Sequence, residues 1–166
     1  MPITSARELF VHELEDMVSA EHIIVKMLPE LRKEAQDPEA KTAFQEHEAE
    51  TKAQIKRLTE VFKLLGEKPE ESTCYATEGL KQEHAAMHEE EPTPEMLAMA
   101  GLLGAAKTEH YEIASYAALV QMAKDLGEKD IAALLQETLT EEEAMSKRVT
   151  ALAKAAGKEL KASAAN

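Results

Sequence analysis

Tryptophan is absent from this chain of 166 residues, and phenylalanine and tyrosine supply three residues each. With aromatics at 4%, a core must be built from aliphatic side chains and the eight methionines. Cysteine occurs once, as Cys74, which excludes an intramolecular disulfide. Basic residues are few: 19 Lys and Arg stand against 32 Asp and Glu, for a net charge of −13, and no basic run exceeds two residues. That excludes the clustered cations with which proteins hold nucleic acid or an anionic membrane surface. No uncharged apolar stretch approaches the ~18–20 residues of a membrane span. The first residues, MPITSARELF, lack the apolar centre of a secretory signal. A cytoplasmic location is expected, and the scarcity of cysteine agrees with it.

What remains is 44% hydrophobic and 31% charged, the balance of a globular chain, and its length fits one domain spanning 1–166. Apolar residues recur at three- and four-residue spacing in long segments. The first carries Phe10, Leu14, Met17, Ile24, Leu28 and Leu31; the second Phe44, Ile55, Leu58, Phe62 and Leu65; the last Ile131, Leu135, Leu139, Met145, Val149 and Leu152. Each set is one stripe of an amphipathic helix. The segment from Met96 to Ala123 is apolar almost all round, so it is expected to be the most buried. Ser5 with Glu8 forms a capping box. Asp37-Pro38 and Thr93-Pro94 place a capping side chain before a proline at the first helical position. Gly66, Gly127 and Gly157 mark helix ends. The expected helices are 6–34, 38–65, 94–126 and 128–156, with Pro29 bending the first near Val25.

Short turns join the first pair and the last pair, so each pair is an antiparallel hairpin. The long link 66–93 is expected to hold a short helix near 74–89, with Leu80, Ala85 and Met87 packing inward. A link of that size can run the length of the bundle. The expected fold is all-α: a ferritin-like four-helix bundle with one long crossover containing a short fifth helix.

Several positions on the inner stripes are not apolar. Glu21, His47, Glu109, Glu112 and Glu142 interrupt them, and Glu50 lies one turn beyond His47. Folding each hairpin about its turn places Glu21, Glu50, Glu112 and Glu142 at one depth, ~15 residues from the nearest turn, by the ~1.5 Å rise alone. Buried carboxylates must neutralise, pair or bind a cation. Carboxylate and imidazole on facing helices suit two divalent ions, Fe or Mn foremost and Zn possible. In that reading Glu21 and Glu142 are terminal ligands, Glu50 bridges with Glu112 or Glu109, and His47 gives the nitrogen. Depth also brings Asp16 opposite Arg57, so an ion pair is expected there. His110 reads as a weaker ligand candidate.

The motifs resemble those of the YciE/YciF family of bacterial ferritin-like proteins over roughly residues 5–155. They are Leu9-Phe10, Glu13-Leu14, Asp16 and Ala20-Glu21; His47, Glu50-Thr51, Gln54 and Arg57-Leu58; Cys74 with Glu78-Gly79-Leu80; the run Lys107 to Tyr116; and Gln136 to Leu139 with Glu141-Glu142-Glu143. The resemblance implies a dimetal centre, a cytoplasmic homodimer and a link to stress. Against the wider di-iron pattern, Glu109-x-x-Glu112 before Tyr116 looks like the third helix of rubrerythrin-type proteins. The usual second- and fourth-helix histidines fall on Ala53 and Met145, and His47 can replace a missing imidazole. Two functions compete: a redox protein whose Fe or Mn pair meets dioxygen or peroxide, and a non-catalytic stress-associated binding or structural protein.

Overall fold

In a computed structural model, which describes residues 3–163, the chain forms five helices. They are α1 (Ala6–Glu34), α2 (Pro38–Leu65), α3 (Tyr75–Glu89), α4 (Pro94–Asp125) and α5 (Lys129–Ser163). The capping signals act as the sequence predicts. The Ser5 hydroxyl accepts from the Glu8 amide, and the Glu8 carboxylate reaches back to the Ser5 amide. Asp37 and Thr93 cap α2 and α4 ahead of their prolines. Gly66 and Gly127 end α2 and follow α4 with φ of 73° and 80°, a left-handed turn that costs glycine little.

Gly157 does not end a helix: α5 continues through it to Ser163. A glycine stops a helix only where the backbone turns left-handed, and here Gly157 packs toward Met99 of α4. α1 likewise runs unbroken through Pro29.

In the bundle, α1 packs on α2 and α4, and α5 packs on α4 and α2. These four run antiparallel to their neighbours: Gly101 near the start of α4 meets Leu31 near the end of α1, and Arg148 of α5 reaches Glu46 of α2. The diagonal pairs α1/α5 and α2/α4 are not direct neighbours. The crossover returns the chain to the end where α4 begins, and α3 lies outside the groove between α1 and α4. α4 is therefore covered on three sides, yet Met96 and Leu103 remain 43% and 49% exposed, so its all-round apolarity exceeds what one bundle hides. Within α3 the inward residues are Thr77, Leu80 and His84, while Ala85 is exposed. The core itself is one cluster, mostly aliphatic, that includes Leu14, Met17, Leu58, Leu119, Leu135 and Val149 together with Phe10, Phe44 and Phe62.

The expected Asp16–Arg57 pair is not formed. Asp16 Oδ2 accepts from the Tyr111 hydroxyl at 2.7 Å. Arg57 points to α5, where it meets Glu141 at 3.0 Å, Glu137 at 2.6 Å and the Thr138 hydroxyl at 2.7 Å. Depth brought the two residues level, but the face of α2 that carries Arg57 is turned away from α1.

Candidate metal centre

Midway along the bundle the hydrophobic stripes of four helices give way to one polar layer. Glu21 comes from α1, His47 from α2, Glu109 and Glu112 from α4, and Glu142 from α5. All are buried. Glu109 and Glu112 are three residues apart and so share one face of α4. His47 Nε2 lies 3.2 Å from Glu109 Oε1 and 3.9 Å from Glu142 Oε2. One ligand atom from each of His47, Glu109, Glu112 and Glu142 falls within 4.8 Å of the others. Donors on opposite sides of one ion at ~2.1 Å stand ~4.2 Å apart, so the cluster has the size of a coordination sphere.

Glu50 is not in this layer. Its side chain is 47% exposed, and its carboxylate lies 3.5 Å from His47 Nδ1, the nitrogen facing away from Glu109. The helical repeat explains the difference. Three residues rotate about 300°, so Glu50 stands about 60° off His47, on the solvent side. The inward positions of α2 are His47, Thr51, Gln54 and Leu58, and Ala53 is exposed. Thus α2 offers the centre an imidazole and an amide rather than a carboxylate, and the fourth acid is Glu109. His110 is exposed, with Nδ1 2.8 Å from the Ala106 carbonyl.

The layer lacks donors for its own acceptors. Both oxygens of Glu112, and one each of Glu21, Glu109 and Glu142, are buried without a hydrogen-bond partner. The remaining contacts act as props. The Tyr116 hydroxyl donates to Glu21 Oε1. Gln54 Nε2 donates to Glu142 Oε1 and, at 3.1 Å, to Glu141 Oε2. Sequence reasoning gave Gln54 no role, although its place seven residues after His47 put it on the same face.

Burial pushes the Glu21 carboxyl up to about 7, against the opposing pull of the Tyr116 hydrogen bond. Burial, with repulsion from the other acids, holds Glu112 far above the ordinary carboxylate range. Burial likewise raises Glu142 well above it, although His47 pulls the other way. At His47 burial favours the neutral ring, but Glu109 and Glu50 together outweigh it and raise the imidazole well above its usual value. A metal would satisfy the orphaned oxygens and compensate the formal charge of −4, so the residues fit one.

One turn away, a second network ties the crossover to the bundle. The buried Cys74 caps α3, its amide donates to Ser19 Oγ at 3.0 Å, and its sulfur sits 3.1 Å from the Tyr111 hydroxyl. Burial, then Cys74 and Asp16, hold the Tyr111 phenol far above its usual pKa.

Residues 5–162 match the family described as Domain of unknown function, DUF892. The chain belongs to this family. It is 36% identical to YciF of Escherichia coli K12 over 154 residues, covering 92% of this chain and 93% of that one. The crystal structure of that protein, described as a stress protein, superposes with a TM-score of 0.89 at 34% identity, over 94% and 99% of the two chains. YcfI from Rhodopseudomonas palustris, provisionally described as a structural protein, gives 0.86 at 36% over 89% and 94%. A Xanthomonas campestris protein shares the fold, with a TM-score of 0.73 at 23% identity. The DUF892 fold is thus all-α in this chain, with a buried His/Glu cluster that could hold a metal ion. No described helix is long and apolar enough to cross a membrane.

Glu50 has the geometry of a positioning residue. Its carboxylate lies 3.5 Å from His47 Nδ1 and by its charge would favour a proton on that nitrogen, leaving Nε2 for a cation in the layer. Glu50→Gln should weaken metal binding about 10–100-fold without changing its stoichiometry, as titration calorimetry would read it. An unchanged Kd would remove this role.

Proposed function

We propose that the layer holds two divalent ions, Fe or Mn, and that the protein uses them against a small oxidant such as dioxygen or peroxide. The observation that carries this reading is the set of five buried carboxylate oxygens with no protein donor. Such a set is costly without cations, and two divalent ions cancel its formal charge of −4. When bound, the pair would supply electrons and a Lewis-acidic surface for the oxidant.

The chain's own residues divide the remaining work. Glu112, with both oxygens free, suits a bridging position, and Glu109 shares its face. Glu21 and Glu142 each present one free oxygen and have the other fixed, by Tyr116 and Gln54 respectively, as terminal ligands need. His47 presents Nε2. Tyr116, whose phenol burial and Glu21 hold well above its usual pKa, keeps its proton and donates it in a hydrogen bond to Glu21 Oε1. A narrow pocket lined by Ile24, Met27, Leu28, Leu31, Ala105 and Thr108 reaches His47 and Glu109. Apolar walls of this kind admit a small neutral oxidant and exclude charged solutes.

Calorimetry on the chelator-treated full chain should show two Mn(II) ions per chain. Glu142→Gln should weaken that binding at least 100-fold, whereas Glu143→Gln on the exposed face should leave it unchanged. No binding of Mn(II) or Fe(II) would end the reading. The second reading, a structural metal or none, is favoured by the uneven contribution of α2, which gives one nitrogen and no carboxylate. Anaerobically loaded ferrous protein that consumes peroxide no faster than free iron would decide for it.

A homodimer is part of the same proposal. Met96 and Leu103 lie seven residues apart on one face of α4, beside the partly exposed Met87 of α3, and form an apolar strip that the bundle leaves uncovered. Sedimentation should give twice the chain mass of 18.3 kDa at micromolar concentration. Leu103→Glu should reduce it to the monomer.

A further inference from the structure

The crossover carries a second, independent group of ligand atoms. Glu34, the last residue of α1, faces two histidines of α3. His84 Nε2 lies 3.0 Å from Glu34 Oε2, and His88 Nε2 lies 2.9 Å from Glu34 Oε1. The histidines are four residues apart, one above the other on the same helical face, with their rings edge to face at 5.2 Å. We propose that Glu34, His84 and His88 form a zinc site that fastens the crossover helix to the end of α1.

Four observations carry the assignment. First, the donor set is two imidazoles and one carboxylate, the set that proteins use for zinc with a position left open. Here the open position falls to water, because His88 is 47% exposed. Second, no hydrogen bond completes the His84–Glu34 ion pair. His84 is nine-tenths buried, and despite the 3.0 Å separation neither His84 Nε2 nor Glu34 Oε2 has a hydrogen-bond partner. A shared cation would give both atoms a partner. Third, the separations need only a small opening: ligand atoms on a tetrahedral zinc stand about 3.3 Å apart, given bonds of ~2.0–2.1 Å. Fourth, α1 ends at Glu34 and α3 at Glu89, so the negative ends of two helix dipoles converge on the group. A chain of net charge −13 adds a field of the same sign.

The site is separate from the mid-bundle layer. Thirteen residues divide Glu34 from Glu21 along α1, or about 20 Å. Its location also defines its effect. α3 is held to the bundle by Cys74 and Thr77 at its start and by the Glu83–Lys107 ion pair to α4 further on, and Glu34 is the contact in its last turn. A bound ion would close that end.

The test uses full-length Glu112→Gln protein, in which the mid-bundle centre is disabled, titrated with Zn(II) and, as a spectroscopic probe, Co(II). One equivalent should bind, and Co(II) should give the intense visible bands of a four-coordinate site. Zn(II) should also slow proteolytic cleavage within 66–93. Adding His88→Ala should abolish the equivalent, the bands and the protection together. His88 is half-exposed, so that variant should keep its helical circular dichroism. In the wild type, His88→Ala should leave the two Mn(II) ions untouched, which separates this site from the proposed centre. Equal zinc binding with and without His88, or no binding in Glu112→Gln protein, would reduce the group to an ion pair and overturn the proposal.

Discussion

Replacing Glu112 by Gln should stabilise the metal-free protein while destroying its metal centre. The two effects have opposite sign because they draw on one buried group. Glu112 has no hydrogen-bond donor and is held far above the ordinary carboxylate range. At pH 7.5 it must therefore take up a proton on folding, or fold as an uncompensated anion. From the ordinary glutamate value of 4.5, the proton route alone costs up to about 4 kcal/mol, at ~1.36 kcal/mol for each pH unit. Glutamine has the shape of the protonated acid and avoids that cost. Allowing for relaxation, a gain of about 2–4 kcal/mol is expected, or a rise in Tm of roughly 5–10 °C for a chain of this size. Calorimetry on the same variant should show Mn(II) binding reduced at least 100-fold. A fall in the apoprotein's Tm would mean that the Glu112 carboxylate makes stabilising interactions in the absence of metal.

The second large effect is the dependence of stability on pH and its reversal by metal. Glu21, Glu112 and Glu142 have folded pKa values above their unfolded ones, so between the two the native state binds more protons than the unfolded state. Stability must then fall as pH rises above about 4.5, with the Glu21 contribution complete near its folded value of about 7. His47 acts in the same direction. Its stabilisation is present below its unfolded value of 6.5 and is lost as pH rises through the raised folded value. The apoprotein should thus melt at lower temperature at pH 8 than at pH 5.5. Saturating Mn(II) should restore the loss at pH 8, where protons compete least for the ligands, and do little at pH 5.5. Scanning calorimetry at both values, with and without metal, checks this. A metal effect that is equal at the two would place binding away from these groups.

Depth along the bundle was legible in the sequence, and direction around each helix was much less so. Capping residues at Ser5, Asp37 and Thr93 fix where helices begin, and short turns fix how each hairpin folds back. Glu21, Glu112 and Glu142 were therefore placed at one level by counting. The azimuth of a residue depends on how neighbouring helices settle against one another, which counting cannot supply. A rotation of about 60° separates Glu50 from His47, and it moves a supposed bridging ligand to the rim. The same uncertainty exchanged Arg57's expected acid on α1 for two acids on α5. On α3, a single step decides that His84 rather than Ala85 faces inward, and with it whether a histidine pair is noticed at all. Gly157 illustrates a different limit: its role depends on the local backbone angle and on the presence of Met99, neither of which the letter G carries.

The division of the polar layer between two hairpins has a kinetic consequence. Glu21 and His47 belong to the α1–α2 hairpin; Glu109, Glu112 and Glu142 belong to the α4–α5 hairpin. Each hairpin closes over a turn of a few residues and can form early, but neither holds more than part of the ligand set. The metal's grip is realised only once the halves have docked, late on the route to the native state. Energy gained after the rate-limiting barrier does not hasten folding; it deepens the well from which the molecule must escape. For this bundle, a bound ion would act on the lifetime of the folded state rather than on the speed of reaching it.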